Sequence, residues 1–321
     1  MTWASRVDGA FPQPLQVILR GVGQVFFCCN ALTGLIFLIA LFIGGVAAGA
    51  AATVGVVTST VTARLLGFSK KDIDAGLYGF NGTLVGPCLF LFLEHSPQLW
   101  LYVILASILS SVVLAALMRI LRPYQVPAST APFVLTSWMF LVAVYGFESF
   151  TRSPVLPAAG IPVAVPGAGR LAVENWPVAL FKGVGEVMFA DSVTVGILFL
   201  AGIAIVSLRG ALMAISGAFV GIIFPTLLNA NLNAIEMGLY AFNPVLTMMA
   251  IGWVFLKPSG KSAALAVLAG VMTVVCQAGL ASFLTPIGLP TLTFPFVLVM
   301  WMFLFAAGMS KYWVDPDAEE G

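Results

Sequence analysis

The sequence predicts an all-α membrane protein with about ten transmembrane helices in two inverted halves around a central path. Three observations predict it. First, the chain is too apolar for water. Of its 321 residues 60% are hydrophobic and 8% charged, against about 25% charged in a soluble domain, and the mean hydropathy is +1.06. Second, the apolar residues gather in about ten stretches, each near the roughly 20 residues that cross a bilayer. Third, the same blocks of sequence occur twice in the same order.

In the first half the apolar stretches run approximately over 20–43, 46–66, 77–93, 98–121 and 130–147; in the second they run over 183–206, 208–228, 238–256, 262–283 and 293–311. Residues 148–182 hold five prolines, several glycines and scattered charge, the composition of a long loop. The expected division is therefore a first five-helix unit over 1–150, a link over 151–182 and a second five-helix unit over 183–321. Residues 1–14 carry Arg6, Asp8 and two prolines without an apolar core, unlike a cleaved signal peptide.

The repeat rests on three blocks. Gly21-Val-Gly-Gln-Val-Phe-Phe27 matches Gly183-Val-Gly-Glu-Val-Met-Phe189 at an offset of 162, and Ile73-Asp-Ala-Gly-Leu-Tyr-Gly-Phe-Asn81 matches Ile235-Glu-Met-Gly-Leu-Tyr-Ala-Phe-Asn243 at the same offset. Val126-Pro-Ala-Ser-Thr-Ala-Pro-Phe133 matches Leu289-Pro-Thr-Leu-Thr-Phe-Pro-Phe296 at 163, and 10 of 16 positions are identical between 126–141 and 289–304. Each half has five stretches, an odd number, so the second half enters the membrane from the opposite side. Inverted halves place a substrate site between them near the midplane.

Lys and Arg orient the chain. With ten crossings, Arg6, Arg20, Arg64, Lys70, Lys71, Arg119, Arg122, Arg209, Lys257, Lys261 and Lys311 fall on one side, and Arg152, Arg170 and Lys182 on the other, 11 against 3. Both termini are expected in the cytoplasm. A net charge of +1 makes no case for a nucleic-acid partner.

Enzyme signatures are missing. His95 is the one histidine, and Cys28, Cys29, Cys88 and Cys276 lie in apolar runs without metal-ligand spacing. No metal, cofactor or catalytic group is expected. Glu186 stands out, because an ionisable group at membrane depth is costly and marks a site by default. Its partner in the repeat is Gln24, so what the two positions share is a carbonyl-type acceptor; charge is not shared. The competing reading pairs Glu186 with Lys182 one helical turn away, in an interfacial loop.

Phe27 matches Phe189, Phe80 matches Phe242, and Leu84 matches Leu246 one turn further on, on the same helix face. A single Phe is normally core or lipid-facing; four at matched positions beside a Gln/Glu pair point to a lining. Pro127, Pro132, Pro290 and Pro295 lack an amide donor and restrict the residue before them. Nearby carbonyls are expected to be freed, which lipid tolerates only beside protein or a water-filled path. Thr130 and Thr293 sit two residues before a proline, at a cap-like position. A plain surface cap is the alternative, but a cap needs no copying of Pro-x-x-Thr-x-Pro-Phe in both halves.

Such a path has oxygen acceptors, aromatic walls and no cation, which disfavours an anion; few carboxylates disfavour a proton relay or Na⁺ site. Facing rings would make a slot for a flat solute with N–H donors. Urea fits, as do other small amides.

The two Pro-Thr stretches resemble the duplicated Leu-Pro-x-x-Thr-x-Pro-Phe signature of urea transporters, with Val126 for Leu in the first copy. The resemblance extends over nearly the whole chain. It implies a channel-like facilitator in the plasma (cell inner) membrane, a homotrimer with one pore per subunit, and short helices that enter the membrane partway near 12–28 and 174–190. Carried over by position, Gln24, Phe27, Phe80 and Leu84 would form one mouth of a urea slot, Glu186, Phe189, Phe242 and Leu246 the other, and Thr130 and Thr293 the constriction, with Val25 and Val187 as further lining. The rivals are an ion- or proton-coupled carrier of another small amide or amine with Glu186 as coupling group, and an intramembrane enzyme, for which no nucleophile–base pair is visible.

Overall fold

The computed structural model describes residues 3–163 and 171–310; Arg170 and Lys311, both counted in the charge partition, lie outside them. The described chain is built from helices, and its isolated extended pairing joins Leu93 to Arg152. Four helices have the length and composition to cross a bilayer: Val46–Leu65, Pro97–Tyr124, Leu208–Leu227 and Gly260–Ile287. Ser96 and Ser259 start the two longest, accepting from the amides of Leu99 and Ser262 at 3.3 and 3.0 Å and so satisfying donors that a helix start leaves orphaned. On the first of these, Leu101, Leu105, Ile108 and Val112 are exposed. Their 4-3-4 spacing makes one exposed apolar stripe along the helix.

Two expected spans are not single helices. The stretch at 20–43 is Gln13–Phe26 followed by Ala31–Gly44, at 75°; that at 183–206 is Val173–Met188 followed by Val193–Val206, at 74°. Phe27 and Phe189 stop the first arm of each pair in the left-handed region, at φ 60° and 63°, a role usually taken by glycine. Asn30 and Ser192 restart the chain as caps on Thr33 and Val195. The arms fold against each other because Gly34 and Gly196 have no side chain. A Cβ there would lie 1.8 Å from the Leu19 carbonyl oxygen and 1.9 Å from that of Phe181. Gly34→Ala should therefore cost about 3 kcal/mol or more, read as a lower thermal midpoint of the detergent-solubilised protein. Gly279→Ala, where a Cβ meets nothing within 4 Å, should leave the midpoint level or raise it slightly.

Four further expected spans, at 77–93, 130–147, 238–256 and 293–311, are too short to cross alone. Gly79–Phe92 has 14 residues, about 21 Å of helix against a hydrocarbon core of about 30 Å. Ala131–Ala143 has 13, Phe294–Ala307 has 14, and Phe242–Met249 has 8 before a five-residue π-helical turn, Ala250–Val254. Among the described residues the helices long and apolar enough to cross number four, or six with each bent pair taken as one.

The π turn accounts for the change in offset between the matched blocks. Leu84 and Leu246 are 162 apart, whereas Phe92 and Phe255, and the cap residues Ser96 and Ser259, are 163 apart. One extra residue therefore lies between Leu246 and Phe255, and the widened turn absorbs it. Phe255 donates its amide to Ala250, five residues back, at 2.9 Å. The carbonyl of Gly252, within that turn, is capped by Nε of Arg209 at 2.8 Å.

One core runs through both halves. Ala31–Gly44 lies against Val193–Val206: the Thr33 hydroxyl donates to the Gly202 carbonyl at 3.0 Å, and the buried rings of Phe37 and Phe199 meet at 5.0 Å, with Phe26 within 5.4 Å of each.

Candidate functional site

At the centre of the bundle the two Pro-Thr stretches meet. Thr130 and Thr293 occupy the cap positions of Ala131–Ala143 and Phe294–Ala307, yet neither side chain makes a cap bond. Their hydroxyls bond each other instead, at 2.7 Å, and both residues are 2% exposed. The residue before each, Ser129 and Leu292, is left-handed, at φ 49° and 51°, a conformation that non-glycine residues hold only where their surroundings enforce it.

Two asparagines enforce it. The Asn81 amide donates to the Ser129 carbonyl at 3.4 Å while its oxygen accepts from the Phe133 amide at 3.0 Å. Asn243 does the same for Leu292, at 3.1 Å, and Phe296, at 3.3 Å, and also donates to Oε1 of Gln277 at 3.0 Å. Asn81 and Asn243 lie in the first turns of Gly79–Phe92 and Phe242–Met249. The N-terminal turns of four short helices therefore converge on one oxygen pair, with their positive dipole ends together.

The halves also exchange tryptophans. Trp138 Nε1 donates to the Pro290 carbonyl and Trp301 Nε1 to the Pro127 carbonyl, each at 2.8 Å. Of the two ways in which the freed carbonyls could be satisfied, protein or a water-filled path, these take protein. The carbonyls of Pro127 and Pro290 accept from indoles and those of Ser129 and Leu292 from asparagines, so the polar atoms that the motif itself leaves nearest the centre are the two threonine hydroxyls.

The Phe that ends each Pro-Thr stretch belongs to a cluster of three rings. Phe27 of the first half meets Phe255 and Phe296 of the second, at 5.7 and 6.2 Å and nearly edge-on. Phe189 of the second half meets Phe92 and Phe133 of the first, at 6.4 and 5.9 Å. Each cluster takes one ring from one half and two from the other, in edge-to-face geometry. Phe80 is buried and Phe242 half-buried, and neither makes a ring contact among the described residues. Leu84 and Leu246 are fully buried; Val25 and Val187 are buried in the core at 2% and 1%. The two valines can reach a path only through their backbone, at a helix end where carbonyls lack helical partners.

Gln24 and Glu186 stand at the broken ends of the bent pairs, both half-buried. The Gln24 amide donates to the Ala75 carbonyl at 2.8 Å, leaving Oε1 as its acceptor. The Glu186 carboxylate makes no hydrogen bond or ion pair among the described residues, and the Lys182 pairing fails. Lys182 Nζ lies 2.8 Å from Oδ1 of Asp191, which the bend brings within reach. Arg20, at the position matching Lys182, is bound to Asp8 and to the Asp74 carbonyl. Burial opposes the Asp8 carboxylate, but Arg20 and the Ala31 amide outweigh it and hold the carboxyl below its ordinary pKa. Each end thus carries a neutralised cation beside an acceptor.

The family profile named Urea transporter matches residues 15–308. The chain belongs to the urea transporter family. Over 302 residues it is 32% identical to Urea transporter 1 of Ovis aries, covering 91% of this chain and 78% of the relative, with the same figures for Urea transporter 1 of Capra hircus. Urea transporter 1 of Mus musculus is 31% identical over 291 residues, 89% of this chain and 75% of the relative. Membership places the chain among multi-pass membrane transporters and not among enzymes.

Several residues that build this urea transporter's centre escaped sequence reasoning although their signals were present. Asn81 and Asn243 end the second matched block, and Trp138 and Trp301 lie in the Trp-Met-Phe-Leu that follows the Pro-Thr motif. Phe133 and Phe296 are the last residues of the motif itself. Phe92 and Phe255 are hidden by the change of offset, and Asp8 has no counterpart in the other half.

Proposed function

We propose that the chain conducts urea passively across the plasma membrane, as a channel-like facilitator. The observation that carries this reading is the buried Thr130–Thr293 oxygen pair, with a three-ring cluster at the Phe that ends each Pro-Thr stretch. In the proposed path, urea loses water at Gln24 or Glu186, moves edge-on past Phe27 or Phe189, and exchanges hydrogen bonds with the two hydroxyls. Phe80, Phe242, Leu84 and Leu246 wall the slot, and Val25 and Val187 contribute carbonyls. Conduction needs each of these sites to bind weakly.

The proposed topology keeps the two halves inverted, with the short helices meeting at the midplane, the link over 151–182 outside and both termini in the cytoplasm. The proposed assembly is a homotrimer with one path per subunit. The converging helix N-termini support a neutral solute. Their positive ends oppose Na⁺, H₃O⁺ and ammonium at the constriction, as half-helix dipoles do in other selective pores.

The Glu186 carboxylate, without a hydrogen bond or ion pair among the described residues, favours one rival, an ion- or proton-coupled carrier of a small amide or amine. Radiolabelled urea uptake into liposomes bearing the purified protein separates the two. Flux should follow the urea gradient, ignore Na⁺ and imposed pH gradients near neutrality, and persist in Glu186→Gln, which gives both mouths the acceptor of Gln24. Uptake that rises steeply with acid, or that is lost in Glu186→Gln, would instead assign Glu186 to coupling.

A further inference from the structure

Away from the threonine centre, the end of the Pro97–Leu121 helix borders an open cleft of about 830 Å³ that shares no residue with the proposed path. One wall is polar. Arg119 is exposed and makes no ion pair among the described residues. Arg122 pairs with Asp72 at 3.1 Å but keeps 66% of its side chain exposed, against 9% for Asp72. Ser69 stands beside them. The other wall is apolar, formed by Val112, Ala115 and Ala116 of the same helix; Val112 belongs to the exposed apolar stripe. Between the walls lies Tyr78, 4% exposed and stacked on Phe68 at 5.2 Å. Tyr124, exposed one turn beyond, has the amphipathic ring characteristic of the membrane–water boundary.

The chain contains its own control. In the second half the scaffold of this cleft recurs: Tyr240 matches Tyr78, Val275 matches Val112, Ala278 matches Ala115 and Pro286 matches Pro123. The charges do not. Ala234 stands for Asp72, Ser282 for Arg119 and Thr285 for Arg122. The helix packing therefore forms without them, and the fold does not demand the arginines. A guanidinium without a carboxylate, a second only half neutralised, and an apolar trough running from both into the exposed apolar stripe are complementary to one kind of molecule, an anionic amphiphile.

We propose that this cleft docks one anionic phospholipid. Its phosphate is held by Arg119 and the open side of Arg122, in the forked geometry guanidinium groups offer to phosphate. Its acyl chain lies along Val112, Ala115 and Ala116, where small side chains leave room. Asp72 orients Arg122 and is shielded from the phosphate by it.

The test uses the full-length protein in detergent, exposed to equal amounts of phosphatidylglycerol and phosphatidylcholine, with retained lipid read by native mass spectrometry. One phosphatidylglycerol per chain should be retained in preference. Arg119→Gln should reduce that preference about fivefold, the factor one interfacial arginine contributes toward anionic lipid. Ala116→Trp, which fills the trough without touching charge, should release the lipid while leaving the charges in place. Both positions are exposed, so neither change disturbs the core. Equal retention of the two lipids, or an unchanged preference in Arg119→Gln, would overturn the proposal and leave the arginines as topology signals alone. Displacement of the lipid by inorganic phosphate would overturn it in favour of a free-anion site. A change of oligomeric mass in Arg119→Gln would overturn it in favour of a second copy covering the cleft.

Discussion

Thr130→Val with Thr293→Val should lower urea flux by about one to four orders of magnitude while the protein assembles normally, since each of the two hydrogen bonds unmade in a dry site costs about 1–3 kcal/mol and about 1.4 kcal/mol is tenfold in rate. Assembly survives because the two hydroxyls bond each other, at 2.7 Å. Valine at both positions removes donor and acceptor together at nearly constant volume, a change that is close to neutral for stability. A single replacement is worse for the fold, because it strands the remaining hydroxyl in a place that is 2% exposed. The ordering expected is therefore opposite for the two readouts. Thermal midpoints should run wild type and double variant above the singles, whereas flux should run wild type above the singles above the double. Serine at both positions should restore flux. Unchanged uptake by the double variant in proteoliposomes would remove the threonines from the path.

The largest expected loss of stability belongs to Asn243→Ala. Three groups lose their partner at once: the Leu292 carbonyl, the Phe296 amide and Oε1 of Gln277. At about 1–3 kcal/mol for each buried group left unsatisfied, the total is about 3–9 kcal/mol, a large share of the 5–15 kcal/mol that typically separates folded from unfolded domains. It also frees Leu292 to leave its left-handed conformation, which moves Thr293. Asn81→Ala removes two bonds, one of them 3.4 Å long, so its effect should be smaller. The checks are the yield of folded protein and its thermal midpoint in detergent. Equal midpoints for Asn243→Ala and wild type would mean that the asparagines do not hold the centre.

The repeat, the meeting of its two threonines and the apolar character of the fold were legible in the sequence because they depend on which residues are present. Thr130 and Thr293 are at the middle of a copied motif, and a pair of hydroxyls is what the structure brings together. Features that depend on length and direction were not legible. Hydropathy averaged over about 20 residues cannot tell one crossing from two arms at 75°. The break at 27–30 is Phe-Cys-Cys-Asn, and that at 189–192 is Phe-Ala-Asp-Ser; without glycine or proline, neither marks a stop. The pairing of Lys182 failed for a related reason. Helical spacing brings Glu186 near it, but the bend brings Asp191 nearer, and tertiary geometry overrode the local rule. The short helices read as spans because their buried polar residues, Asn81, Asn243 and the threonines, are few among many apolar ones.

The widened turn at Ala250–Val254 makes the halves unequal in length while their ring contacts stay equal. Kept in an ordinary helix, an added residue would swing every later side chain by about 100° and carry Phe255 off Phe27. Confined to one turn, it leaves Phe255 and the Ser259 cap where Phe92 and Ser96 stand in the other half. Segments are therefore exchangeable between the halves by geometry and not by residue number. A graft cut at Leu246 and rejoined at Phe255 must carry its own count of residues, and a graft that copies the count of the first half loses the carbonyl arrangement on which Arg209 is anchored.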